Sequence, residues 1–218
     1  MVKGRILIAT RNPGKQQEIR AILRDLPYEI VFPDDIGLYH QPEENGLETA
    51  DTFEGNARRK AEYFSRRSGL PTAGEDSGIE VISLGGEPGV RSRRFAAPAP
   101  DQDAANNTEL LRRLQGAPPE RRRARYRAAL VFLERPNDIP HTFEGASAGT
   151  VLEAPRGNGG FGYDPLFLSD ELGKTFGEAT PEQKHTVSHR GRACRALAEW
   201  LTNLPTAQSR GPGRRTDS

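Results

Sequence analysis

The sequence predicts an α/β fold, and three observations carry that prediction. A short apolar run, Ile6-Leu7-Ile8-Ala9, passes through a polar loop into an amphipathic helix pattern. A second helical run, Thr52 to Ser68, ends at Gly69 and leads to an alternating stretch, Ile79 to Leu84. The second half adds an alternating stretch, Arg123 to Ala128, that runs on into the apolar Leu130 to Leu133, and closes on a helix that starts at Ser188. Strand and helix patterns thus interleave along the chain.

In the first unit, Ile19, Ile22, Leu23 and Leu26 recur at helical spacing. Asn12 suits the N-cap and Pro13 the first helical position. Backbone N–H groups at such a start attract phosphate, and Lys15 adds a cation that itself wants an anionic partner there. The loop is not a Walker A motif, because Ala9 and Gln16 replace the required Gly and Ser/Thr. Tyr28 to Phe32 reads as a second strand, followed by an acidic loop, Pro42-Glu43-Glu44-Asn45-Gly46.

The next helix starts near Asp51 or Thr52, with Phe53, Ala57, Ala61 and Phe64 as its apolar stripe. Lys60 falls inside that stripe, where a lysine either snorkels or points into a site. Ala73-Gly74-Glu75-Asp76-Ser77-Gly78 follows as a turn before the strand, and its adjacent carboxylates suit a hard cation such as Mg²⁺. One of them can also orient or deprotonate a metal-bound water. Gly85 to Gly89 is a tight turn, Arg91, Arg93 and Arg94 follow, Ala96 to Asp103 reads as a mobile loop, and Thr108 to Leu114 as a short helix.

Arg123, Arg125 and Arg127 alternate with Ala124, Tyr126 and Ala128, which makes a strand with one solvated, charged face and not a nucleic-acid patch. His141 to Leu152 reads as a strand pair with a glycine turn at Gly145. The dense stretch Arg156 to Pro165 surrounds aromatics and an acid with glycines, which suits close approach to a flat ligand. Thr180 to His185 is a short helical segment carrying Lys184, and Ser188 caps the last helix with His189 and Arg190 in its first turn.

The 218 residues fit one domain over 1–204, with a Pro-, Gly-, Ser- and Arg-rich tail, 205–218, expected to be disordered. A net charge of +1 gives no case for nucleic acid or membrane partners. Cys194 is the only cysteine, so an internal disulfide is excluded. The apolar run near the N-terminus is too short for a signal peptide or a span, and the expected setting is soluble and cytoplasmic.

Five blocks, in order, resemble the motifs of the inosine triphosphate pyrophosphatase family, the HAM1 or RdgB-like enzymes. They are Thr10-Arg11-Asn12-Pro13-Gly14-Lys15, Thr72 to Gly78, Gly85 to Val90, Gly160 to Pro165 and Ser188 to Gly191. The resemblance implies a long twisted mixed sheet flanked by helices, in two lobes with an active-site cleft between them. It implies hydrolysis of inosine, deoxyinosine and xanthosine triphosphates to the monophosphate and pyrophosphate, with Mg²⁺, by a homodimer. Carried over residue by residue, it makes Asp76 the general base and a metal ligand, with Glu43 as the second metal carboxylate and Glu44 as its alternative. Thr10, Arg11, Asn12, Pro13, Gly14, Lys15, Lys60 and Ser77 would hold the triphosphate. Phe161, Gly162, Tyr163, Asp164, Lys184, His189 and Arg190 would hold the base and sugar end. His189 and Arg190 are the expected donors to the C6 carbonyl of hypoxanthine and xanthine, a group that adenine lacks and guanine shares, so exclusion of GTP is expected from crowding or unpaired acceptors near C2. Rival readings are a Maf-type pyrophosphatase, which expects Ser-x-Ser-x-x-Arg at the first loop, and a non-catalytic nucleotide or RNA binder using the arginine stripe.

Overall fold

The computed structural model describes residues 4–203, so the tail expected from residue 205 onward lies outside the described residues. Six strands form one mixed sheet in the order β2-β1-β3-β4-β5-β6. They are β1 (Arg5–Ala9), β2 (Glu29–Val31), β3 (Thr72–Val81), β4 (Arg123–Leu133), β5 (His141–Val151) and β6 (Phe167–Ser169). β1 runs parallel to both β2 and β3, while β3, β4, β5 and β6 pair antiparallel in turn. The helices are α1 (Pro13–Ile22), α2 (Phe53–Ser68), α3 (Gln102–Arg113), α4 (Pro181–Val187) and α5 (His189–Asn203).

Strand alternation divides the core. Ile6 and Ile8 of β1 and Ala128, Leu130 and Phe132 of β4 pack with Ile19 and Leu23, and with Ala193 and Leu197 of α5. The intervening residues of β4, Ala129, Val131 and Leu133, meet Phe53, Ala57 and Ala61 of α2 on the opposite face. A further cluster joins Ile79 and Val81 to Leu110 of α3, to Leu114 at its C-cap, and to Tyr126, Tyr163, Phe167 and Phe176. Among the described residues no helix is long and apolar enough to cross a membrane.

The caps follow the sequence. Asn12 accepts from Lys15 N at 3.0 Å, Thr52 accepts from Gly55 N, and Ser188 accepts from Gly191 N. Gly69 ends α2 in the left-handed region at φ 67°. Three segments differ from expectation. The acidic motif is not a turn but the middle of β3, because residues 72–81 pair continuously with β4. His141 to Val151 is one strand, not a pair. A Cβ at Gly145 would lie 2.0 Å from the His189 carbonyl oxygen, so the glycine serves close helix approach rather than a turn. The segment read as a mobile loop is tied down: Asn106 accepts from Ala96 N at 2.9 Å, and α3 starts early on the Asp101 cap.

The arginine stripe is matched charge for charge. Arg123 pairs with Asp170, Arg125 with Glu80, and Arg127 with Glu80 and Glu144. Its neighbour Arg122 is buried and donates to the carbonyls of Val151, Leu114 and Leu152.

Gly74 sets how closely α2 lies on β3. A Cβ there would sit 2.0 Å from Ala57 O and 2.7 Å from Ala61 N, both in the α2 backbone. Gly74→Ala therefore lifts the helix, at a cost of roughly 1–3 kcal/mol or more for overpacking. A thermal melt of the variant shows a lowered Tm; an unchanged Tm would mean that α2 is free to shift.

Candidate active site

β1 ends at Ala9, whose partner in β3 is Gly74. Beyond that point Glu75, Asp76 and Ser77 of β3 have no β1 neighbour, and the loop Thr10 to Asn12 turns away beside them. A crevice opens at the carboxyl end of β1, where sheets of this kind bind ligands. Its cavity volume is about 810 Å³, ample for a nucleotide.

The adjacent carboxylates of β3 diverge, because neighbouring strand residues face opposite ways. Asp76 faces α2, where its Oδ2 accepts from Asn56 Nδ2 at 2.9 Å and its Oδ1 from Lys60 Nζ at 3.1 Å. Lys60 Nζ also donates to Glu48 Oε1 at 2.9 Å. Burial opposes the charge on Lys60, but Asp76 and Glu48 outweigh it and raise its pKa. Glu75 faces α1 and α5 instead, fully buried, with Lys15 Nζ 2.7 Å from its Oε2 and Arg190 Nε 3.2 Å from its Oε1. The pair read together from the sequence does not share one cation.

From Glu75 an alternating chain of buried charges runs to the glycine-rich stretch. Arg190 bonds Glu18, Glu18 bonds Lys184 at 2.6 Å, and Lys184 bonds Asp164. Burial disfavours the charged Glu18, yet Arg190 and Lys184 hold its carboxyl down at about 2. Asp164 in turn accepts from Phe161 N at 2.8 Å, which closes the loop on itself. The rings of Phe161 and Phe176 lie 5.0 and 5.5 Å from Lys184 Nζ.

The structure brings most of the expected residues together. Thr10, Arg11, Asn12, Lys15, Lys60, Asp76, Ser77, Phe161, Gly162, Tyr163, Asp164, Lys184, His189 and Arg190 all line the crevice. Pro13 and Gly14 open α1 just behind, and a Cβ on Gly14 would lie 2.5 Å from the Phe161 ring. Glu43 is not brought in: it is exposed on a 3₁₀ turn, Pro42–Gly46, and does not line the crevice. Glu44 does line it but is gripped by Arg11, at 2.7 and 2.9 Å. Arg11 is itself held by Glu44, Asp34 and the Leu38 carbonyl.

Arg190 is also committed, since its three nitrogens bond Glu75, Glu18 and Ser77. His189 is buried and stacks on Tyr126 at 4.5 Å with the rings nearly parallel. Burial, helped by Arg190, holds its pKa well below the usual value, so the ring is neutral at pH 7. Its Nδ1 has no partner among the described residues.

Sequence reading missed Glu18, Glu48 and Asn56. Two of them left a trace: Glu18 adjoins Ile19 on the inward arc of α1, and Asn56 stands one turn before Lys60 on the buried face of α2. Glu48 lies in an irregular segment, where no periodicity marks it.

The sequence profile of the Ham1 family matches residues 6–200. The chain belongs to the Ham1 family. Among Ham1-related sequences, a dITP/XTP pyrophosphatase of Thermus thermophilus is 45% identical over 94% of this chain and 96% of its own length. One of Geobacter sulfurreducens is 43% identical over 90% and 96%. The Ham1 fold is shared with a solved HAM1 protein from Coxiella burnetii, at 33% identity and a TM-score of 0.80, covering 91% of this chain and 98% of that one.

Proposed function

We propose that the chain hydrolyses the deaminated purine triphosphates ITP, dITP and XTP to the monophosphate and pyrophosphate. One observation carries this reading. A single crevice is lined by Asn12 and Lys15 at the cationic, N–H-rich start of α1, by the buried His189, by Phe161 and by Asp76. The names of the relatives support the same substrate class.

The donor set suits Mg²⁺, which binds through one or two carboxylates and completes its shell with water and substrate phosphate oxygens. Asp76 and Glu48 already face one cation, the Lys60 ammonium, so they are the carboxylates placed to hold the metal. Glu43 would serve only after its turn moved inward. Mg²⁺ supplies charge neutralisation on the phosphates. Asp76 orients the attacking water and takes its proton, with Asn56 fixing the carboxylate. The α1 N-terminus, Lys15 and Lys60 stabilise charge on the departing pyrophosphate.

His189 takes over the selective role that the sequence assigns jointly to His189 and Arg190, because Arg190 is anchored through Nε and Nη1 to the ion chain and through Nη2 to Ser77. His189 lines the crevice, and a neutral imidazole carries one N–H that can donate to a C6 carbonyl, which adenine lacks. His189→Ala is expected to lower kcat/KM for ITP roughly tenfold more than for ATP. The stripe arginines, being paired, favour no RNA-binding reading. The resemblance supports a homodimer, which sedimentation would test. The proposal itself is tested by pyrophosphate release over a panel of triphosphates with and without Mg²⁺. It expects ITP, dITP and XTP far ahead of ATP and GTP, with none hydrolysed after chelation. Equal rates across the panel would reject it.

A further inference from the structure

Helix α3 grips the glycine-rich loop at one residue. The Gly162 N–H donates to Asp103 Oδ2 at 2.7 Å, and the Gly162 carbonyl accepts from Asn107 Nδ2 at 3.0 Å. Asp103 and Asn107 are four residues apart, so they stand on one face of the helix. Both backbone polar groups of a single residue are thus held by side chains more than fifty positions away in sequence.

Gly162 needs such a grip. Its φ is +61°, and Gly157 and Gly160 nearby are also left-handed. Glycines lose the most conformational freedom on ordering, so a loop of this composition does not hold its shape unaided. Gly162 separates Phe161, whose ring faces Lys184 and Arg190, from Tyr163, whose hydroxyl donates to Ser92 O at 2.7 Å. The same helix secures the adjoining segment: Asn106 Nδ2 donates to Arg93 O at 3.1 Å and its Oδ1 accepts from Ala96 N. α3 therefore ties two crevice-lining segments to one element.

We propose that Asp103 and Asn107 are positioning residues for base selection, holding the Phe161–Asp164 loop in its base-receiving shape without acting in the chemistry. This rests on the reading that the loop receives the base. With the latch intact, the cost of ordering the loop is met before substrate arrives. Without it, that cost falls on binding, so KM rises and kcat is spared. Discrimination also falls, because a loose loop can refit around adenine.

The experiment compares Asp103→Ala, Asn107→Ala, the double variant and the conservative Asp103→Asn, which keeps an acceptor for Gly162 N–H. In Asp103→Ala, KM for ITP is expected to rise roughly fivefold, with kcat changed less than twofold, and the ITP-to-ATP ratio of kcat/KM to fall by a similar factor. Asp103→Asn restores most of both. The double variant is little worse than either single, because both side chains hold one residue. Amide hydrogen exchange of the peptide spanning Gly162, followed without nucleotide, rises in Asp103→Ala and checks the latch independently of activity. Faster exchange with unaltered KM and selectivity overturns the positioning role. Unaltered exchange overturns the latch itself. A wild type that does not prefer ITP rejects the functional reading instead, and that result is seen before any variant is made.

Discussion

Asp76→Asn is expected to lower kcat for ITP by at least about a hundredfold, the scale of losing a positioned base, and by more if metal is lost with it. The change is isosteric but not silent. If the new amide keeps its oxygen toward Lys60, its NH₂ faces Asn56 Nδ2, and two donors meet. Asn56 cannot simply turn over, because its Oδ1 already accepts from Ala50 N at 2.8 Å. One unmet buried group costs about 1–3 kcal/mol, so Tm should fall by several degrees while the fold persists. Calorimetric titration with Mg²⁺ should show weakened binding in the same variant. Activity within tenfold of wild type in a folded preparation would remove Asp76 from the chemistry.

Glu18→Gln is expected to have the largest effect on stability. Glu18 lies between Lys184 and Arg190, both nearly fully buried, and its loss leaves two cations without their shared counter-charge. Breaking a buried pair by removing one partner costs about 3–5 kcal/mol, which in a domain of this size lowers Tm by roughly 6–20 °C. The sign with pH is fixed by linkage. The Glu18 carboxyl titrates at about 2 in the fold against 4.5 when unperturbed, so the fold binds its proton less readily. Its stabilising contribution is complete above pH 4.5 and is lost as pH falls toward 2. The gap in stability between wild type and Glu18→Gln should therefore narrow across that window. A gap that stays constant would show that the residue acts through shape and not charge.

The parts of the fold legible in the sequence were those with local signals. Asn12 with Pro13, Thr52 with Gly69, and Ser188 each marked a helix end, because capping is a contact within one turn. β4 was legible because charged and apolar residues alternate from Arg123 to Ala128 and a continuous apolar run carries on to Leu133. Gly145 misled, because a glycine that admits a helix backbone looks in sequence like one that makes a turn. The pairing of Glu75 with Asp76 misled for a related reason. Adjacency in sequence became separation in space once the motif proved to lie inside a strand. Among site residues, those on motifs were legible and their partners were not. Glu48 and Glu18 are defined by contacts to Lys60 and Lys184 across twelve and 166 positions, which no spacing rule reaches.

The central claim is that water, directed by Asp76, attacks the α-phosphorus of a deaminated purine triphosphate. Hydrolysing ITP in ¹⁸O-labelled water and locating the label by mass spectrometry tests it most directly. In-line attack at the α-phosphorus places one labelled oxygen in the inosine monophosphate and none in the pyrophosphate. Label in the pyrophosphate, or release of orthophosphate and a diphosphate in its stead, would contradict the account.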